Sequence, residues 1–153
     1  MYNFEFDVPV NAFEKDAAKL MYEHWQEIGI NKEKIKLNPD FTKYAVLQNA
    51  GVLKNIVVYK DEKAIGYSVI FLEPNLHYSD HVFGKVDIIY VSKEHRNSSV
   101  GARLLVATET LAKYLGCSVL IHHAKPHADM IVKPLEKLGY SLQEYLYGKY
   151  LGE

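Results

Sequence analysis

The run Arg96-Asn97-Ser98-Ser99-Val100-Gly101-Ala102 sets a basic side chain and small residues just ahead of an apolar helical stripe of Val100, Leu104, Leu111 and Leu115, with Thr108 in the same row. At such a junction the free backbone N–H groups and the positive end of the helix dipole converge on one point, an arrangement suited to a phosphate or pyrophosphate. Arg96 adds a full positive charge, and Gly101 leaves room for a ligand to approach the amides. Ser98 or Ser99 can cap the first turn, and Gly116 suits the left-handed residue past the last. Neither Gly-x-Gly-x-x-Gly nor Gly-x-x-x-x-Gly-Lys-Ser/Thr occurs, so the common dinucleotide and P-loop motifs are excluded. Proton-transferring groups stand nearby in the chain. Asp87 interrupts the apolar run Val86 to Val91, where burial would raise its pKa toward that of a useful base; the alternative is a solvent-facing edge residue. His77 and Tyr78 precede that run, and Tyr147 and Tyr150 near the C-terminus are alternative acids. His122 and His123 end another apolar run and point to opposite sides of it, so at most one of them faces a site; His123 is the choice. The 7 histidines bring no Cys or His-Glu-x-x-His spacing with them, so no metal is expected.

These residues need a scaffold. Tyr2 to Val8 alternates as a strand ended by Pro9, and Asn11 with Glu14 then opens a helix that buries Ala17, Leu20, Met21, Trp25 and Ile28 before Gly29. Pro39-Asp40 starts a second helix with Phe41, Tyr44, Ala45 and Leu47 on its inner side. Asn55 to Tyr59 and Ala64 to Leu72 form a hairpin about the turn Lys60 to Lys63. Glu73 to Gly84 is longer than a hairpin connection needs and reads as a functional loop. Val86 to Val91 is the next strand, Ser92 to Ser99 the turn, and the helix from Ser98 or Ser99 runs to Leu115. Ser118 to Ala124 is a strand, Pro126 and Pro134 bracket a broken helix, and Tyr145 to Leu151 is a last strand.

With 153 residues and 48% hydrophobic content, residues 1–153 make one domain able to bury its own core. The net charge of -1 excludes an electrostatic case for nucleic-acid or membrane binding. The single cysteine, Cys117, forms no internal disulfide, and no signal or spanning segment is visible, so a cytoplasmic setting is expected. The 12 tyrosines spread along the chain suit packing, and a homodimer is compatible with this surface.

Arg96 to Ala102 resembles the Arg/Gln-x-x-Gly-x-Gly/Ala loop of the GNAT superfamily of acyl-CoA-dependent N-acyltransferases. Its lead-in, Ile89-Tyr90-Val91-Ser92-Lys93-Glu94-His95, resembles that family's Leu-Tyr-Val-x-Pro-Glu-Tyr segment. Leu135-Glu136-Lys137-Leu138-Gly139-Tyr140 is similar to its Tyr-Glu-Lys-Leu-Gly-Phe motif, and the element order matches across nearly the whole chain. Pro74-Asn75-Leu76-His77-Tyr78 also resembles small members encoded by bacteriophages, which would place the protein in the host cytoplasm. The departures are Ser99 for a usual glycine, Lys93 for a proline, and Leu135 and Asp129 where many members carry an acid tyrosine and an asparagine.

The resemblance implies an α/β (α+β) fold: a central, mixed, mostly antiparallel sheet of about six or seven strands, splayed after its fourth strand and flanked by four helices. It implies acetyl-CoA as co-substrate, with Ile89, Tyr90 and Val91 beside the thioester and Arg96, Asn97, Ser98, Ser99, Val100, Gly101, Ala102 and Arg103 around the pyrophosphate. The expected activity is acetyl transfer to an amine of a small molecule, a protein or a modified nucleobase, by direct attack on the thioester. Asp87, His77, Tyr78 and His123 are the expected proton-handling residues, because Leu135 cannot donate a proton. The alternative is a non-catalytic CoA-binding or protein-interaction module on the same fold.

Overall fold

The computed structural model describes residues 1–153. One five-stranded sheet in the order β1-β2-β3-β4-β5 organises it, formed by Tyr2–Phe6, Leu53–Lys60, Lys63–Pro74, Val82–Val91 and Cys117–His122. β1 to β4 pair antiparallel, and β5 joins β4 in parallel. The helices are α1 (Val10–Ile28), α2 (Phe41–Asn49), α3 (Val100–Tyr114) and α4 (Val132–Lys137). The α3 helix begins and ends where its apolar spacing predicts, and Gly116 takes the expected left-handed conformation at φ 83°. The α2 helix begins at its predicted cap, the Asp40 carboxylate accepting from the Lys43 N–H at 2.9 Å. The α1 helix starts one residue before Asn11, with Pro9 at the N-cap and no side-chain cap bond.

Alternation along the strands divides the core between the two faces of the sheet. On one face Phe13, Ala17, Leu20 and Met21 of α1 meet Val57, Tyr67, Val69 and Tyr90, with Phe41, Tyr44 and Leu47 of α2 packed against them. On the other, Val100 and Leu104 of α3 meet Ile56, Val58 and Ile65, with Ile89 and Val91 against them. Buried Asn55 ties the faces to the entry of α1, since its amide donates to Val8 O at 2.9 Å and its Oδ1 accepts from Val8 N–H at 2.8 Å. No helix is long and apolar enough to cross a membrane.

Two sequence expectations change. The two ends of the long connection Glu73 to Gly84 are strand: β3 continues to Pro74 and β4 begins at Val82, with Lys85 and Glu73 paired at 2.8 Å. Tyr145 to Leu151 is not a strand, and the sheet therefore has five strands rather than six or seven. That stretch has no β-branched residue and contains Gly148, and no strand pairs with it. It is tethered near its ends, where Tyr140 donates to Glu109 at 3.0 Å and the Lys34 ammonium lies 4.7 Å from the centre of the Tyr150 ring.

Candidate active site

The pairing of β4 with β5 stops at Val86 and His122, yet β4 continues to Val91. There β5 itself ends, so β4 from Asp87 to Val91 has no strand beside it on that edge, and a gap is left. A β-bulge sits at its narrow end: Ile70 faces Val86 and Val69 faces Ile88, so Asp87 has no cross-strand partner. A bulge re-aims side chains, and here it breaks the alternation that would send Asp87 to the α3 face with its neighbours. Asp87 instead shares the α1/α2 face with Tyr44 and Tyr67, whose hydroxyls feel its charge, and with His123, whose charge it feels in turn. Its carboxylate stays open to the cleft while the surrounding protein shields it from much of the solvent, and burial pushes its pKa above the ordinary value.

The backbone of β4 beyond the bulge is available to a ligand. Arg96 Nε donates to Val91 O at 2.8 Å, so the peptide groups of Val91 face away from β3, and strand alternation turns those of Ile89 the same way. At the end of the gap lies the loop before α3. There the N–H groups of Asn97, Ser98, Ser99, Gly101 and Ala102 donate to no backbone carbonyl, whereas the Val100 N–H donates to Ser98 Oγ at 3.3 Å. A Cβ built on Gly101 would meet nothing within 4 Å, so the cradle is open on that side.

The charge expected at this cradle is directed elsewhere. Arg96 turns back to α1, where its guanidinium grips Glu27 at 2.7 and 2.8 Å, and it lies 5.1 Å from the centre of the Tyr90 ring. This pair holds the Glu27 carboxyl below its usual range, and Arg96 also reaches Met130 Sδ at 3.7 Å, so it spans the wide end of the gap. Arg103, in the first turn of α3, lies over the ring of Phe4 of β1 at 4.8 Å and pairs with no carboxylate.

The other expected site residues are scattered. Exposed His77 and Tyr78 occupy the tip of the β3–β4 hairpin, Tyr78 stacked on Phe83. Five residues of strand, about 17 Å, separate that tip from Asp87, so the structure does not gather the three into one site. His123 is at the gap and His122 points the opposite way, edge-on to Tyr140 at 5.1 Å with its pKa lowered to about 4 by burial. Leu135 is a buried core residue. No group of three or more His, Cys, Asp or Glu residues is placed to hold a metal ion.

Several wall residues have no signature in the linear motifs. Tyr44 and Tyr67 line the inner wall beside Asp87. His24 stacks on Tyr90 at 4.8 Å, its pKa lowered to about 4 by burial, with nearby Glu27 opposing the shift. Only the i,i+3 spacing of His24 and Glu27 hints that both belong to one side of α1. Lys125 and His127, from the segment after β5, reach Ile28 O at 3.0 and 3.2 Å and bind that segment to the end of α1.

Solved structures share this architecture. A ribosomal-protein-alanine N-acetyltransferase from Brucella melitensis biovar Abortus 2308 aligns with TM-score 0.76 at 17% identity, over 99% of this chain and 100% of that one. An aminoglycoside acetyltransferase from an uncultured soil metagenomic sample gives 0.77 at 15% identity, over 99% and 96%. Glucosamine-6-phosphate N-acetyltransferase from Arabidopsis thaliana gives 0.76 at 13% identity, over 99% and 99%. No curated protein matches the sequence. The model of the Acetyltransferase (GNAT) family matches residues 18–140, most of the chain and all of the gap described above, and the protein belongs to that family.

Proposed function

We propose that the protein is an acetyl-CoA-dependent N-acetyltransferase acting on an amine, with its chemistry in the gap between β4 and β5. The observation that carries this reading is the continuity of donors: the outward peptide groups of Ile89 and Val91 lead into the free amides of Asn97, Ser98, Ser99, Gly101 and Ala102. A thioester needs a donor for its carbonyl oxygen at one end, and its pyrophosphate needs several donors at the other. Those residues fit acetyl-CoA, and Arg103 supplies the positive charge that Arg96 has committed to Glu27.

In this reading the N–H groups of Ile89 and Val91 donate to the carbonyl oxygen as it gains negative charge. Asp87, ionised and open to the cleft, accepts the proton of the attacking amine, and the carbon–sulfur bond breaks as the new carbon–nitrogen bond forms. His123, across the narrow end of the gap, is the candidate to return a proton to the departing thiolate. His77 and Tyr78 serve acceptor binding at most, because they lie at the far end of β4. The acceptor is a small molecule, a protein amine or a modified nucleobase.

Incubation with acetyl-CoA and panels of amines and peptides, read by mass, tests the reading. An acetylated product is expected with at least one acceptor class. Binding of acetyl-CoA without transfer to any class would favour the non-catalytic module, and absence of binding at millimolar CoA would overturn both readings.

A further inference from the structure

The sheet ends on an open edge. β5 pairs only with β4, and no hydrogen bond from elsewhere in the chain reaches the outward N–H and C=O groups of Cys117 to His122. Such an edge is a template for a further strand, and soluble chains usually cover it or place charges on it. β5 contains no Lys, Arg, Asp or Glu, and its Ser118 and Val119 are exposed. Beside it a cavity of about 230 Å³ lies between β5, the end of α3 and Leu138 to Tyr140, with Ala112, Leu120 and Leu138 as its apolar lining.

The same chain carries an uncovered apolar segment. Leu142, Tyr145, Leu146, Tyr147 and Leu151 are between 71% and 95% exposed. In an extended strand Leu142, Leu146 and Tyr150 would share one side and Tyr145, Tyr147 and Leu151 the other, the pattern of a strand covered on both faces. This tail pairs with no strand of its own molecule. It is held at Tyr140 against Glu109 of α3, which packs on one face of the sheet, and at Tyr150 against Lys34 of the connection between α1 and α2, which pack on the other. It therefore crosses from one face to the other, and both its apolar side chains and the β5 edge stay unpaired.

We propose that two copies of the chain form a dimer in which the segment Leu142 to Leu151 of each adds as a strand to the outer edge of β5 of the other. Each copy offers one strand and one edge, so the exchange is reciprocal and the assembly closes at two. Backbone bonds along β5 supply the pairing, and a side chain of the incoming tail fills the cavity beside it. A buried tyrosine contributes roughly 150 Å² or more. Two tyrosines and three leucines from each tail bring the buried surface into the range of roughly 1,200–2,000 Å² found in stable interfaces. A single copy leaves the segment irregular because the edge it fits belongs to another molecule. The outer edge of β5 faces away from β4, so the dimer is independent of the acetyl transfer proposed above.

Analytical ultracentrifugation and lysine cross-linking test it on the full-length chain, with no ligand present. The wild type should sediment at twice the mass of one chain at micromolar concentration. The double variant Leu146→Asp/Tyr147→Asp puts a charge on each side of the strand; both residues are largely exposed in one copy, so it should sediment at single-chain mass with an unchanged circular dichroism spectrum. In an equilibrated mixture of ¹⁵N-labelled and unlabelled wild type, cross-links between Lys149 of the tail and Lys113 at the cavity should include pairs of mixed isotope. A monomeric wild type overturns the proposal, and so does a folded double variant that stays dimeric. Lys149–Lys113 links without mixed-isotope pairs also overturn it, because they place the tail on its own β5. Should the double variant be poorly folded, Tyr147→Asp alone decides by the same mass.

Discussion

Asp87 reaches the cleft because β4 carries an extra residue opposite Val69 and Ile70, and this placement makes its protonation testable in two ways. Asp87→Asn should lower turnover by roughly 10²–10⁴-fold, the usual contribution of a positioned base, while calorimetry finds acetyl-CoA affinity unchanged. Full activity in that variant would remove Asp87 from the mechanism. Its raised pKa also fixes a sign for stability. The native state holds the proton more tightly than the unfolded chain, so the stabilisation is present below the ordinary value of 3.8 and is lost as pH rises through the raised one. At neutral pH Asp87→Asn should therefore unfold at the same temperature as the wild type or higher, and a clear loss of thermal stability would show that the carboxylate is held by favourable contacts.

At the scale of elements, two junctions meet at the loop before α3. One is the amide cradle, which Gly101→Val should block without harming the helix, because the new side chain enters open space. Acetyl-CoA binding should be lost in calorimetry with the circular dichroism spectrum unchanged; normal binding by this variant would place the pyrophosphate elsewhere. The other junction is the Arg96–Glu27 pair that joins the end of β4 to α1. It is only partly exposed and makes two short bonds, so Arg96→Ala and Glu27→Gln should each cost about 1.5–3 kcal/mol in denaturant unfolding. The double variant should cost much less than their sum, since both changes remove the same interaction. If Arg96→Ala weakens acetyl-CoA binding and leaves stability intact, the arginine serves the ligand rather than the scaffold.

Across the whole molecule, burial of imidazoles couples folding to pH. His24 lies under Tyr90, and His122 beside Tyr140 has both ring nitrogens buried without a partner; burial lowers each pKa to about 4. A depressed base adds stability above its unfolded value of 6.5, and this is lost as pH falls through about 4. The urea midpoint should accordingly drop between pH 7 and pH 4.5, and His122→Phe should flatten that drop. A midpoint equally pH-dependent in His122→Phe would trace the acid sensitivity to other groups.

Much of this molecule is determined by local sequence. The apolar spacing of Val100 to Leu115 with Gly116 sets α3, Asp40 caps α2, and the β-branched runs of β2, β3 and β4 declare themselves, because helix and strand periodicity follow from neighbours a few residues apart. The small-residue loop Asn97 to Ala102 is legible for the same reason: its free amides come from the start of the helix. The tertiary structure alone decides which acids and bases share the cleft. Asp87 escapes its cross-strand pairing because of a bulge set by register; Arg96 finds Glu27, and His77 and Tyr78 are carried to the far end of β4 by a hairpin longer than its turn residues suggest. Register and long-range side-chain reach depend on how the whole sheet packs, and a linear motif holds no record of that.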